Sequence, residues 1–151
     1  MLRWLILLLM ALATAAPAHA QQTGLPVWLV GTWCGELGAV GPRLCDSWAV
    51  GEGGTLQNRL RPAEDSGVAD DGSTGEIAIE QGRLVMRGGV DGAVKFDFRE
   101  VSRGPQEVVF ENRMDGLVLK FRIVRVGDDL IEDIWIKDRP EPQRTVYHLK
   151  K

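Results

Sequence analysis

The sequence predicts an all-β fold, an antiparallel up-and-down β-barrel of about ten strands preceded by a signal peptide. Three observations predict it. Short runs of alternating apolar and polar residues recur along the chain, separated by turns rich in Gly, Asp and Pro. No stretch beyond the N-terminal leader carries the periodicity of a long helix. The runs follow one another a turn apart, which favours hairpin after hairpin, and closing such a meander leaves no free strand edge. A two-sheet sandwich is the alternative arrangement of the same strands.

The clearest signal lies between Val108 and Asp138. Val108 and Phe110 share one parity. Leu119, Phe121 and Ile123 share another, with Lys120 and Arg122 between them. Period two puts those sets on opposite faces of a pleated strand, one dry and one wet. Gly127-Asp128-Asp129 supplies a hairpin turn, after which Leu130 to Ile136 resumes the pattern less cleanly.

The N-terminus reads differently. Arg3 precedes an apolar run from Trp4 to Ala16, and Ala18-His19-Ala20 is a small-x-small cleavage site. That is the layout of a secretory signal peptide over residues 1–20. The run is short of the roughly 20 residues that span a bilayer, so no transmembrane anchor is expected after cleavage. The mature chain, residues 21–151, is one domain's worth, and its predicted location is periplasmic or secreted. The whole chain has 18 Lys and Arg against 21 Asp and Glu; losing Arg3 with the leader takes the net charge from −3 to −4. No basic patch with interleaved aromatics is present, which argues against nucleic acid as a partner.

Along the mature chain, Val27 to Val30 reads as a helical turn or the start of the first strand. Gly31 to Glu36 is the first strand, Gly38 to Leu44 a turn, and Cys45 to Val50 the second strand. A hairpin about that turn puts Cys34 opposite Cys45, where a disulfide can form. Export favours the bridge over free thiols, and two Cys without nearby His make a poor zinc site. With both cysteines outward, Trp33 and Trp48 point inward, as core packing or as the wall of an apolar pocket.

Gly51 to Gly54 is a turn and lacks the spacing of a nucleotide-binding loop. Thr55 to Arg61 is the third strand. Its Asn58 shares a face with Leu56 and Leu60, so it either points inward and needs a partner or, in the other register, meets solvent. Residues 62–74 form the longest polar stretch, a surface loop whose acidic residues do not follow calcium-loop spacing. Gly75 to Glu80 and Arg83 to Arg87 form a hairpin about Gln81-Gly82, and Gly88 to Gly92 holds a second Asp-Gly turn. Ala93 to Val101 alternates, with Val94, Phe96 and Phe98 on one face. Ser102 to Pro105 is a turn. Arg144 to Lys150 is the closing strand, with Tyr147 and His148 on opposite faces.

Trp28-Leu29-Val30-Gly31-Thr32-Trp33, with Phe110-Glu111-Asn112 downstream, resembles a family of exported bacterial domains of unknown function. That family opens on a WLxGxW pattern, has a second Trp, and then runs from Phe-Glu-Asn into an aromatic, His- and Pro-containing segment. The resemblance implies a lipocalin-like barrel related to the calycin and fatty-acid-binding barrels, and no established activity. This chain departs from the pattern after Asn112, where Arg113-Met114-Asp115-Gly116 has no His or Pro.

Signals of catalysis are sparse. His148 is the single histidine after the leader, there is no nucleophile elbow, and no His cluster can hold a catalytic metal. No cofactor motif is present. Glu132 and Asp133 fall on opposite faces of one strand, so one of them points inward, where a buried carboxylate would be of interest.

These readings lead to a non-enzymatic barrel binding a small apolar or amphipathic ligand. The expected lining is Trp33, Trp48, Asn58, Phe96, Phe98, Phe121 and Trp135. The alternative is a periplasmic protein-interaction module, an inhibitor or envelope assembly factor, with loop 62–74 as its contact surface. A third reading, an enzyme built on interior Asn58, Glu132 and Tyr147, lacks a nucleophile and base that can be paired from the sequence.

Overall fold

The computed structural model describes residues 24–38 and 41–151. The predicted leader and its cleavage site lie outside the described residues. Ten strands make one closed antiparallel barrel: β1 (Gly31–Glu36), β2 (Arg43–Val50), β3 (Leu56–Pro62), β4 (Thr74–Glu80), β5 (Arg83–Val90), β6 (Ala93–Gly104), β7 (Glu107–Asn112), β8 (Val118–Val126), β9 (Asp129–Ile136) and β10 (Gln143–Leu149). Each strand pairs with the next, and β10 returns to pair with β1. The barrel rather than the sandwich is therefore the arrangement adopted.

Turn chemistry drives the meander. β4 and β5 are joined by Gln81 (φ 51°) and Gly82 (φ 78°), and β5 and β6 by Asp91 (φ 51°) and Gly92 (φ 74°). Two left-handed residues in a row match the twist of the flanking strands, which is why such pairs close hairpins. β6 runs on through Gly104, so the expected turn at residues 102–105 is confined to its end. A register shift between Glu100 and Ser102 bends this long strand around the barrel.

Register decides which side chains turn inward. Cys34 pairs with Cys45 and Trp33 with Asp46 across β1 and β2, and the cysteines form a disulfide. Between β8 and β9 the register shifts between Val118 and Lys120. The shift turns Val118 toward the interior and leaves Leu119 48% exposed, so Leu119 does not share the buried face of Phe121 and Ile123. Val94, near the start of β6, is exposed as well.

The two ends of the barrel differ. At one end the segment before β1 folds across the opening. Val27–Leu29 is a 3-10 turn, and Leu25 and Leu29 are buried. The Trp33 indole donates to the Leu29 carbonyl at 2.7 Å, and Arg125 donates to the Trp28 carbonyl at 2.9 Å. The Arg125 guanidinium also lies 5.0 Å from the Trp33 ring centre, a cation–π distance. Behind this plug Leu56, Ile77, Leu84, Val108, Phe110 and Ile123 fill the interior. The other end, where the β1–β2, β3–β4, β5–β6, β7–β8 and β9–β10 connections gather, is not filled.

Outward-facing positions carry ion-pair ladders. Arg87 and Arg99 on β5 and β6 bridge Glu80 and Asp97. Arg122 joins Glu107 (2.7 Å) to Asp133 (3.0 Å), and Arg144 adds a second contact to Asp133 at 2.7 Å. Among the described residues no helix is long and apolar enough to cross a membrane.

Candidate functional site

The unfilled half of the barrel is a cavity of about 510 Å³. Its walls are Trp48, Met86, Phe96, Phe98, Phe121 and Ile134, with Leu60, Leu117, Val118 and Lys95 toward the mouth. The aromatic rings are in mutual contact. Phe96 and Phe98 lie 5.4 Å apart, and Phe98 and Phe121 6.2 Å apart. A volume of this size suits one small ligand against an apolar wall.

The floor is polar and acidic. Asp46, Asn58, Glu132 and Tyr147 all reach the cavity. They come from four strands, and each sits at an inward parity of its own strand. Glycines make room for two of them. Asn58 stands opposite Gly75, where a Cβ would meet the Asn58 Oδ1 at 2.6 Å. Tyr147 stands opposite Gly35, where a Cβ would lie 2.3 Å from the Val146 carbonyl oxygen and 3.1 Å from the Tyr147 ring.

Asp46 is 3% exposed and held from two sides. The Trp48 indole N–H donates to its Oδ2 at 2.6 Å, and the Asn58 amide donates to its Oδ1 at 2.8 Å. Burial pushes its pKa up to about 6, and the two donors draw it partly back by favouring the ionised form. Glu132 is 7% exposed. Burial, then the negative charge of Asp46, push its pKa up to about 8, against a smaller pull from the Tyr147 hydroxyl. Tyr147 is itself held well above its ordinary value, first by burial and then by the two carboxyls. Burial and the charge of Asp46 beside Glu132 make the two carboxyls reluctant to carry both negative charges at once, so the floor keeps a proton that separate surface carboxyls would release.

Compensating cations are elsewhere. Among the described residues that line the cavity, Lys95 is the one cation, and it is exposed near the mouth. No group of acidic, His and Cys side chains among the described residues is arranged to hold a metal ion.

The structure sorts the residues named from the sequence. Trp48, Asn58, Phe96, Phe98 and Phe121 line the cavity. Trp33 is fully buried but turns the other way, toward Leu29 and the plug. Trp135 is a correction: it does not lean inward. Glu132 and Ile134 take the inward positions of β9, so Trp135 faces out, with the Lys120 ammonium 4.8 Å from its ring centre. Asp46 was not among the expected lining residues, although it shares the parity of Trp48 and so carried the signal. His148 points outward and contacts Asp129 at 2.7 Å. Loop 62–74 is partly tied down, with Asp65 and Asp70 contacting the barrel arginines Arg43, Arg59 and Arg61. A larger groove of about 1380 Å³, with Arg43, Arg61 and Arg144 among its lining, runs outside the barrel past the disulfide and this loop, and shares no lining residue with the chamber.

Fold and site together define a closed ten-stranded β-barrel with a one-ended internal chamber. No protein-family model matches the chain, and no curated protein or solved structure matches it significantly.

Proposed function

We propose that this chain is an exported, lipocalin-like barrel that binds one small amphipathic ligand in its chamber. The observation that carries the reading is the division of the interior. One half is packed solid behind the N-terminal plug, and the other is a cavity with aromatic walls, a polar floor and a single mouth. A barrel built only for stability would fill both halves, because empty apolar volume costs packing energy. The apolar leader with its small-residue cleavage site supports export, as does the disulfide. The Trp-framed opening and Phe110-Glu111-Asn112 support placing the chain among exported lipocalin-like domains.

Native mass spectrometry of the purified protein tests this reading. The expected result is a single mass excess per chain, lost on denaturation, either as isolated or after exposure to an extract of host small molecules. A chain that stays unadorned under both conditions contradicts it.

A further inference from the structure

We infer that the ligand is an amphipathic cation, with a protonated amine seated against Asp46 and Glu132 and a hydrocarbon body lying on the aromatic wall. This inference rests on the chamber being a ligand site, and it specifies the chemistry of that ligand.

The floor of the chamber is acidic. Two carboxyl groups project into one cavity, each more than nine-tenths buried. The arginines that neutralise other carboxylates of this barrel all lie outside. Arg122 and Arg144 reach Asp133, and Arg87 and Arg99 reach Asp97 and Glu80. Asp46 receives only neutral donors, an indole and an amide, which fix its position without cancelling its charge. No cation or backbone N–H donates to Glu132 among the hydrogen bonds of the described residues.

An anionic head group meets repulsion in such a chamber, because its charge would have to be buried beside Asp46 with no cation at the floor. A neutral alcohol can hydrogen-bond there but leaves the buried charge uncompensated. A protonated amine offers three donors to acceptors that are already positioned, and its charge allows both carboxyls to ionise. The walls then set the rest of the ligand, a short aliphatic or aromatic body able to fit about 510 Å³.

Calorimetric titration with three probes of equal length, n-octylamine, n-octanol and n-octanoate, separates these cases. The expected order at neutral pH is octylamine tightest, octanol weaker by roughly tenfold or more, and octanoate weakest. In Glu132→Gln and in Asp46→Asn the ratio of octylamine to octanol affinity falls by roughly tenfold. Octanol or octanoate binding as tightly as octylamine overturns the inference while leaving the chamber a ligand site. An octylamine preference that survives in both variants also overturns it, since the charge would then be read elsewhere. If none of the three binds, the chamber reading fails and the inference falls with it.

Discussion

Glu132 and Asp133 are adjacent in the sequence, both buried, and opposite in their electrostatics. Glu132 turns into the chamber, where no cation meets it, and its pKa rises to about 8. Asp133 turns out beneath Arg122 and Arg144, and their hydrogen bonds hold its carboxyl below its ordinary value. One step along a strand reverses the face and with it the sign of the shift.

This difference gives a paired prediction for stability. The folded pKa of Glu132 lies above its unfolded value near 4.5, so the folded state binds the extra proton between those values. Stability of the ligand-free protein therefore falls as pH rises from about 4.5 to about 8. Asp46 contributes in the same direction between 3.8 and about 6. Glu132→Gln removes its share and is more stable than the parent at pH 8, on the order of a few kcal/mol, with the difference vanishing near pH 4. Urea unfolding across that range checks it; a variant less stable than the parent at pH 8 sinks the assignment of an uncompensated buried carboxyl.

Asp133→Asn has the opposite effect. The folded carboxyl ionises more readily than the unfolded one, so it adds stability above its unfolded pKa and loses it on acidification. The substitution costs about 1–3 kcal/mol at neutral pH, by weakening the hydrogen bonds from two arginines. The same unfolding series at low pH shows the cost shrinking as the parent's carboxyl is protonated.

The Trp48 indole is the donor that shapes Asp46. Trp48→Phe keeps an aromatic ring in the wall, though a smaller one, and removes the 2.6 Å hydrogen bond. Loss of a donor to the ionised form moves the Asp46 pKa above about 6, and stability falls by about 1–3 kcal/mol at neutral pH. A carboxyl-detected NMR titration of the variant reads the first effect directly, and an unchanged midpoint contradicts the geometry.

The Cys34–Cys45 bridge closes a short loop, with a sequence separation of 11. Chain-entropy arguments give such a closure about 3 kcal/mol. Paired Cys→Ser substitutions are expected to lower unfolding stability by that order without disturbing the chamber, because both cysteines belong to the outer groove rather than the cavity.

How much of this was legible in the sequence depends on local alternation. The turn at residues 38–44 sets the β1–β2 hairpin, its register brings Cys34 opposite Cys45, and the same register turns Trp33 and Trp48 inward. Their divergence, one ring toward the plug and one toward the chamber, is a matter of side-chain rotation that parity does not encode. The direction of Trp135 is not legible because both parities of β9 carry apolar residues, Leu130 and Ile134 inward and Ile131 and Trp135 outward. Periodicity carries no direction in such a strand. Leu119 departs from the alternation because of a register shift, which is invisible without the partner strand. Asp46 shares the inward parity of Trp48, but an acid at an inward position runs against the usual polar-out pattern. Such violations fall at functional sites more often than elsewhere.

Ligand binding in the chamber is open to a single titration. N-phenyl-1-naphthylamine, an uncharged fluorescent probe, is added to the protein and to Leu60→Trp, whose larger side chain occupies the mouth. The expected result is saturable binding of one probe per chain to the parent, with quenching of tryptophan emission, and loss of both in the variant. Absence of saturable binding, or binding that Leu60→Trp leaves intact, would contradict it.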